Sequence, residues 1–257
     1  GLWILGERNF NVSTPLISKF NFYDRVFLRP YATFSHPNLL SGFLLAALPL
    51  LSAGLSSSLH RFKTILGLLV SSTIFITFSR PGVVIAGVYA AVFFRKNWKL
   101  LLIMTVVIAP LAFVRFSSIF TFDSLAVLRR EELSEFALKL FLESPVTGIG
   151  LNNFINALAA SEVLVGTSRF LQPVHNIFLL ILSETGILGL SGFLGILGSA
   201  FWVNLKKKDS FSKALLTSLM TIVFLGMFDH YFLTLPQGQR IFFMVIGLSL
   251  RNLKHRT

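Results

Sequence analysis

The chain has 257 residues, of which 54% are hydrophobic and only 13% are charged. A soluble domain carries roughly a quarter charged residues, so the composition favours a membrane protein. The long apolar runs do not alternate in hydropathy, which excludes a transmembrane barrel built from alternating segments of about ten residues. The chain has no cysteine, so the sequence does not indicate a redox compartment.

The first 36 residues are mostly polar, and the chain begins with Gly1 rather than methionine. We expect residues 1–36 to be an outer segment and residues 1–257 to be a single membrane domain, a fragment of a larger protein. Several of the apolar runs that follow approach the ~20 residues needed to cross a bilayer. The sequence therefore predicts an all-α fold, a polytopic transmembrane helix bundle with about seven crossings, at 38–55, 64–79, 82–94, 98–114, 176–203, 211–228 and 241–250.

The second and third crossings form a predicted hairpin. Pro81 cannot continue a helix without the loss of a hydrogen bond, and the residue before a proline disfavours the helical conformation. Basic clusters flank residues 64–94 on both sides, and a hairpin keeps both clusters on the same side of the membrane. We therefore expect a turn at 78–82, with Arg80 below the outer membrane surface.

The net charge of +12 is divided unevenly between the two sides of the membrane. If successive loops alternate between sides, one side holds 12 basic residues and one acid, and the other holds 11 basic and 10 acidic residues. Cytoplasmic loops are rich in Lys and Arg. This distribution predicts that residues 1–36 lie outside and that the carboxyl terminus lies inside, and it gives no reason to expect a nucleic-acid partner.

The longest extramembrane piece is 116–172, which we expect to be a periplasmic helical loop. It contains a predicted helix at about 122–143, and Asn152 or Asn153 is placed to begin a second one. Pro145, Gly148 and Gly150 separate the two. The first helix has an apolar face with the spacing i, i+3, i+4, i+7, i+8, formed by Leu133, Phe136, Ala137, Leu140 and Phe141.

Titratable residues concentrate at the predicted outer ends of the helices and in the outer loops. An ionisable residue within a membrane segment costs a few kcal/mol and is a functional candidate. Structural roles are the alternatives: an interfacial histidine at His175, an ion pair at Arg80, a loop pair at Asp229–His230, and a hydrogen-bonded clasp at Glu184. The full set is Arg29, His36, Arg80, Arg115, Arg129, Arg130, Arg169, His175, Glu184, Asp229, His230 and Arg240.

The chemistry of this set favours a phosphate-containing ligand. Arginine binds phosphate bidentately, and several arginines belong to the outer side. The chain has no glycine-rich phosphate loop, so a nucleotide is not expected. Its acids lack D-x-D spacing, and His36, His175 and His230 are scattered along the sequence, so neither a metal nor another cofactor is expected.

Five stretches carry a resemblance to a known family. "HNIFLLILSETGILGL" (175–190) resembles the H-N-x-x-L…E-x-G-x-x-G-L signature of the O-antigen ligase and O-antigen polymerase family. Three earlier stretches resemble other motifs of that family in the right order: "LRPYATFSHPNLLSGFL" (28–44), "TFSRPG" (77–82) and "RREELSEFALKLFLESPVTGIGLNNF" (129–154). "DHYFLTLPQGQ" (229–239) resembles the closing outer loop of some members. Pro81 and Ala32 depart from the pattern, and family members usually have more helices.

The resemblance implies a membrane glycosyltransferase with an architecture similar to the C-type fold. Such an enzyme transfers a glycan from undecaprenyl diphosphate at the periplasmic face of the bacterial inner membrane, in O-antigen, lipopolysaccharide or other polysaccharide synthesis. The acceptor is lipid A–core or another lipid-linked glycan. Arg80 and Arg130 would clamp the diphosphate, with Arg29 as a weaker clamp, and His175 would orient or deprotonate the acceptor hydroxyl. Substrate-binding positions would be Arg29, His36, Asn176, Asp229 and His230.

Two other functions remain open from the sequence. A transporter or flippase would need polar groups along a path through the bilayer, whereas the inner halves of the predicted helices are almost without charge. A non-catalytic membrane scaffold is the second alternative. The sequence does not distinguish a ligase from a polymerase, or either of them from an enzyme that glycosylates proteins.

Overall fold

A computed structural model describes residues 6, 9–14, 17–22, 25–55, 57–93, 125–161 and 171–251, together with the single positions 99, 102, 106, 109 and 113. The described part is mostly helical, as the all-α prediction requires. The predicted crossing at 98–114 lies almost entirely outside the described residues. Arg115 and Arg169 also lie outside them.

The chain divides into two compact units, Gly1–Thr121 and Phe122–Thr257. The first unit opens with an antiparallel hairpin of two strands, β1 (Lys19–Phe22) and β2 (Arg25–Leu28), in which Lys19 lies opposite Leu28. These strands were not predicted from the sequence. The Phe20 ring stacks on Phe27 at 5.4 Å and on Phe78 at 4.0 Å between ring centroids, so the hairpin is held by aromatic packing.

Three helices follow in the first unit: α1 (Pro37–Gly54), α2 (His60–Ile76) and α3 (Arg80–Phe93). Helix α1 packs on both α2 and α3. Helix α2 ends just before the predicted turn, and α3 begins at Arg80, which confirms that residues 64–94 contain two helices. Gly82 allows α3 to approach α1, because a Cβ atom there would clash with the Ser41 hydroxyl.

The second unit contains α4 (Leu125–Glu143), α5 (Phe154–Ala160), α6 (Ile177–Leu205), α7 (Ser210–Gly226), α8 (Tyr231–Thr234) and α9 (Pro236–Arg251). Helices α4 and α5 occur where the sequence predicted two helices, and α5 begins directly after Asn153. The apolar face of α4 packs in a buried cluster with residues from α5 and from the start of α6. The members of this cluster are Leu133, Phe136, Ala137, Leu140, Phe154, Leu158, Val174 and Leu180.

Two of the described helices, α1 and α6, have the length and apolar composition needed to cross a membrane. Arg80–Val92 and Ser210–Gly226 are apolar but shorter. These helices fit a membrane protein. The number of seven crossings stays a prediction.

Helix α6 is interrupted, whereas the sequence predicted one continuous helix. Gly186 has φ 64° and ψ −164°, a conformation that belongs almost only to glycine. The 29 residues of α6 would extend about 43 Å as one straight helix, well beyond the ~30 Å hydrocarbon core. Residues 187–205 alone extend about 28 Å, so this carboxyl-terminal part of α6 is about as long as the hydrocarbon core is thick, and residues 177–185 form a separate amino-terminal helix.

Three glycines in the carboxyl-terminal part of α6 have no close neighbour among the described residues. Glycines spaced along a membrane helix are typical of close packing against another helix. A Cβ atom at Gly192, Gly195 or Gly198 would meet nothing within 4 Å. Among the described residues, these three glycines therefore face open space.

Candidate functional site

Three polar residues that are distant in sequence come together in the second unit. His175 lies just before α6, and Asp229 and His230 lie between α7 and α8. The rings of His175 and His230 meet edge to face, with 5.4 Å between their centroids. One side-chain nitrogen or oxygen atom from each of the three residues lies within 4.8 Å of the other two. We call these residues the His–Asp–His cluster.

Local hydrogen bonds orient the ring of His230. The Thr234 hydroxyl donates to the His230 carbonyl at 3.1 Å, and its oxygen is 2.6 Å from Nδ1 of His230. Nε2, the other nitrogen of the ring, lies 4.0 Å from Oδ1 of Asp229.

The surroundings of His230 keep its ring neutral. Burial lowers the pKa of His230 below its ordinary value, because the charged imidazolium is poorly solvated there. The Asp229 carboxylate opposes this shift, and the positive charge of Arg130 adds to it. The influence of Arg130 on this pKa also shows that its guanidinium lies in the electrostatic neighbourhood of the cluster.

Arg130 is carried by α4, and its position follows from the packing of that helix. The buried face of α4 is fixed against the start of α6 through the apolar cluster. Arg130 itself is exposed, whereas Arg129 is half-buried. Arg130 is therefore an exposed positive charge on a helix that packs against α6.

The structure gives Arg29, in the first unit, an internal role. Its side chain is buried, with 6% exposed. Nε donates to the Thr77 carbonyl at 2.7 Å, Nη1 donates to the Ser18 hydroxyl at 2.7 Å, and Nη2 donates to Oδ1 of Asn38 at 2.6 Å. These contacts join the outer segment to the start of α1 and to the end of α2. The role of Arg29 as a phosphate ligand stays a prediction.

His36 and Asn176 act as helix caps. Nδ1 of His36 accepts from the Asn38 backbone N–H at 3.1 Å, at the start of α1. Oδ1 of Asn176 accepts from the backbone N–H groups of Phe178 and Leu179 at 2.9 and 3.1 Å, at the start of α6. The cap at Asn176 fixes the backbone next to His175. Substrate binding by His36 or Asn176 stays a prediction.

Arg80 is the first residue of α3. The preceding turn is strained, because Phe78 has φ 52°, a left-handed conformation that is costly for a side chain of this size. Pro81 falls in the first helical turn, where its missing N–H removes no internal hydrogen bond. Ala32 also has a positive φ of 48°, which gives a physical reason why glycine suits this position in the family motif.

Imidazole nitrogen and carboxylate oxygen are ligands that suit zinc and other transition metals. Within the described residues, the His–Asp–His cluster offers such ligand atoms. His175 and His230 are far apart in the sequence, but folding brings them together, which the sequence spacing did not predict. The expectation of no bound metal stays a prediction.

Sequence reasoning missed Thr234 and the contact between the two histidines. The i, i+4 spacing of His230 and Thr234 on one helical turn could have indicated the role of Thr234. The contact between His175 and His230 depends on the tertiary packing of α6, α7 and α8.

The apolar helices are those of a membrane protein. The His–Asp–His cluster, next to the amino end of α6, is its candidate site. A family model described as O-antigen ligase matches residues 64–194, which is half of the chain. The chain therefore belongs to the O-antigen ligase family. A search of curated proteins found no match. Membership indicates a glycosyltransferase-like membrane enzyme of O-antigen or related polysaccharide synthesis.

The matched range divides the candidate site residues. It includes Arg80, Arg130, His175 and Asn176, and it leaves out Asp229 and His230. The two residues that complete the His–Asp–His cluster therefore come from the segment after the family match.

Proposed function

We propose that this protein transfers a glycan from undecaprenyl diphosphate to an acceptor hydroxyl at the periplasmic face of the inner membrane. The acceptor is lipid A–core or another lipid-linked glycan. The observation that carries the proposal is the proximity of His175 to a neutral His230 and to Asp229, in a neighbourhood that also holds the positive charge of Arg130.

The reaction needs one base and a stabilised leaving group. The acceptor oxygen attacks the anomeric carbon of the donor sugar, and the bond from that carbon to the diphosphate oxygen breaks. His175 accepts the proton of the acceptor hydroxyl, since imidazole titrates near neutral pH. The electron pair of the broken bond stays on undecaprenyl diphosphate, and Arg130 stabilises the charge that develops there. No nucleotide or other cofactor takes part in this step.

Arg80 is the second proposed phosphate ligand. This assignment rests on its T-x-S-R motif and on its position as the first residue of α3, where the helix dipole favours an anion. Arg29 retains a weaker claim, because its nitrogen atoms already have protein acceptors. Asp229, His230, Asn176 and His36 are the proposed substrate-binding residues, and Asn176 also fixes the backbone next to His175.

Charge at the ends of α6 supports the periplasmic orientation. Three lysines follow the carboxyl end of α6 at 206–208, and Nζ of Lys206 lies 3.8 Å from the centre of the Trp202 ring. Lysine-rich loops are typical of the cytoplasmic side. His175 precedes the opposite end of α6, so this rule would place the His–Asp–His cluster outside.

A transporter remains the second candidate because α6 is broken, and discontinuous helices are typical of transport sites at mid-membrane. The position of the break favours an enzyme. Residues 187–205, the carboxyl-terminal part of α6, are long enough to cross the membrane by themselves. The break would therefore lie near the outer edge of the membrane rather than at mid-depth.

A deletion strain complemented with the wild-type gene tests the proposal. We expect deletion to change the surface glycan and complementation to restore it. Lipid A–core without polymer would indicate a ligase, and chains of a single repeat would indicate a polymerase. A transporter would instead leave the lipid-linked glycan on the cytoplasmic side. An unchanged glycan profile, with glycoproteins also unchanged, would contradict the proposal.

A further inference from the structure

Residues 145–150, between α4 and α5, are inserted into the break in α6, and we call this segment the wedge. In a continuous helix, the N–H groups of Ile187 and Leu188 would bond to the carbonyls of Ser183 and Glu184. Here those N–H groups donate to the carbonyls of Pro145 at 2.9 Å and Val146 at 3.3 Å. The freed carbonyls of Ser183 and Glu184 accept from the N–H groups of Ile149 at 3.1 Å and Gly150 at 2.8 Å.

The exchange leaves none of these eight backbone groups unsatisfied. Two hydrogen bonds within a helix are replaced by four between distant parts of the chain. An unpaired backbone group is costly in a buried position or in the hydrocarbon core of a membrane. The wedge therefore stabilises the break in α6 by pairing the backbone groups that the break releases.

Two glycines make this insertion possible. Gly148 and Gly186 have positive φ values of 66° and 64°. A Cβ atom on Gly148 would clash with the backbone of Glu184 and Thr185, and one on Gly186 would clash with the Val146 carbonyl. Both glycines belong to the stretches that resemble the family motifs, and both are required by backbone contact.

The side chain of Glu184 adds a fifth bond to this junction. Its Oε1 accepts from the backbone N–H of Phe154 at 3.1 Å, at the first turn of α5. The Glu184 side chain is buried, as is the ring of Phe154, which packs in the apolar cluster at 5.7 Å from the ring of Phe136. The hydrogen-bonded clasp considered for Glu184 from sequence is thus present, and it joins α6 to α5.

The wedge lies between the two elements that carry the proposed catalytic residues. Helix α4 carries Arg130 and ends at Glu143, directly before the wedge. The amino-terminal helix of α6, residues 177–185, follows His175 and ends at the break. The apolar cluster holds these two helices side by side, but apolar contacts alone permit sliding, and the directional hydrogen bonds of the wedge do not.

We propose that Glu184 and the wedge position Arg130 relative to His175, so that Glu184 is a positioning residue and not an acid or a base. This inference rests on the proposed function. Hydrogen-bond acceptance is the property of Glu184 that matters, and a glutamine at this position keeps an acceptor oxygen of the same reach.

Kinetics of glycan transfer in membranes test the chemical role of Glu184. We expect Glu184→Gln to keep kcat within about threefold of wild type, and Glu184→Leu to lower kcat by on the order of 10- to 100-fold with a smaller change in KM, since misplacement by about 1 Å can have that effect. Thr185→Val is the matched control: it removes only the bond to the Ile181 carbonyl of its own helix, and it should behave as wild type. Equal loss in the Gln and Leu variants would overturn the positioning role, because it would show that the ionisable group is required.

A distance measurement tests positioning without reference to activity. The chain has no cysteine, so Glu135→Cys on α4 and Leu171→Cys before α6, both at exposed positions, allow two spin labels to be attached specifically. We expect one narrow distance distribution in the wild-type and Glu184→Gln backgrounds and a shifted or broadened one in Glu184→Leu, at normal abundance. An unchanged narrow distribution in the Leu variant would overturn the inference. If transfer is absent in the wild-type protein as well as in every variant while the distances change as expected, the proposed function fails and the positioning role of the wedge stands.

Discussion

Polar residues at helix ends are used differently in the two units of this protein. In the first unit, Arg29 is buried and directs three nitrogen atoms to protein acceptors, and His36 caps α1. In the second unit, His175 and His230 turn their rings toward each other beside Asp229. The two arrangements show that arginines and histidines near helix ends can serve internal contacts in one unit and be gathered into one cluster in the other.

Arg130 provides the strongest test of this difference. We expect Arg130→Ala to lower glycan transfer by about 10²- to 10³-fold, the effect typical of the loss of one group that stabilises a developing negative charge. Membrane abundance should be unchanged, because the side chain is exposed. Arg129→Ala is the matched control on the adjacent position, and it should retain near wild-type transfer. The measurement is the initial rate of glycan transfer in membranes. Equal losses of this rate in the two variants would contradict a specific role of Arg130.

Arg29 should show the opposite behaviour. Its replacement by alanine would leave acceptors of Thr77, Ser18 and Asn38 without their present donor. Each acceptor that stays buried would lower the free energy of unfolding by about 1–3 kcal/mol. We therefore expect Arg29→Ala to lower the amount of folded protein in the membrane, as measured by immunoblot and thermal unfolding.

The control for Arg29 is Arg25→Ala, at an exposed position of the neighbouring strand β2. It removes the same charge without breaking the buried hydrogen bonds. If Arg29→Ala reached normal abundance and lost only transfer, the internal role of Arg29 would be wrong and a phosphate-binding role would be favoured.

The lowered pKa of His230 predicts a smaller effect that depends on pH. Because burial lowers this pKa below the ordinary 6.5, the unfolded chain binds more protons than the folded chain as the pH falls through 6.5. The contribution of His230 to stability is therefore constant above about pH 6.5 and decreases below it until the folded pKa is reached. His230→Asn should show a shallower loss of thermal stability between pH 7 and pH 5 than wild type, measured in detergent micelles. Identical slopes would contradict the neutral state inferred for the ring.

Metal removal should have the smallest effect. If the lone pairs of the His–Asp–His cluster serve the acceptor hydroxyl, then treatment with EDTA leaves the transfer rate unchanged. Added zinc should inhibit, because it would compete for the same atoms. A rate that falls with EDTA and returns with a divalent ion would instead make the cluster a working metal site.

Sequence patterns were sufficient where structure depends on local periodicity. The apolar spacing on α4 predicted four residues that are buried there, although the fifth, Phe141, is only half-buried. Pro81 together with two basic flanks predicted the separation of α2 and α3. The hairpin β1–β2 was missed because two four-residue strands leave little signal within a polar segment. The wedge could not be predicted, since it depends on backbone hydrogen bonds between residues about 40 positions apart in sequence.

The candidate site, too, could be predicted only where it depends on local sequence. The motif around His175 and Asn176 was visible in the sequence, but their different uses were not: Asn176 caps α6, and His175 faces His230. The orientation of the His230 ring depends on a hydrogen bond to Thr234 that a short i, i+4 spacing permits without requiring it.

The release of undecaprenyl diphosphate most directly tests the central role of His175. Its rate is measured in membranes that contain the wild-type protein or the His175→Ala variant. With saturating lipid-linked glycan and acceptor, we predict a fall in kcat of about 10²- to 10⁴-fold for the variant, as for the loss of a general base, with little change in KM for the donor. A variant that releases undecaprenyl diphosphate and forms product at the wild-type rate would contradict the account.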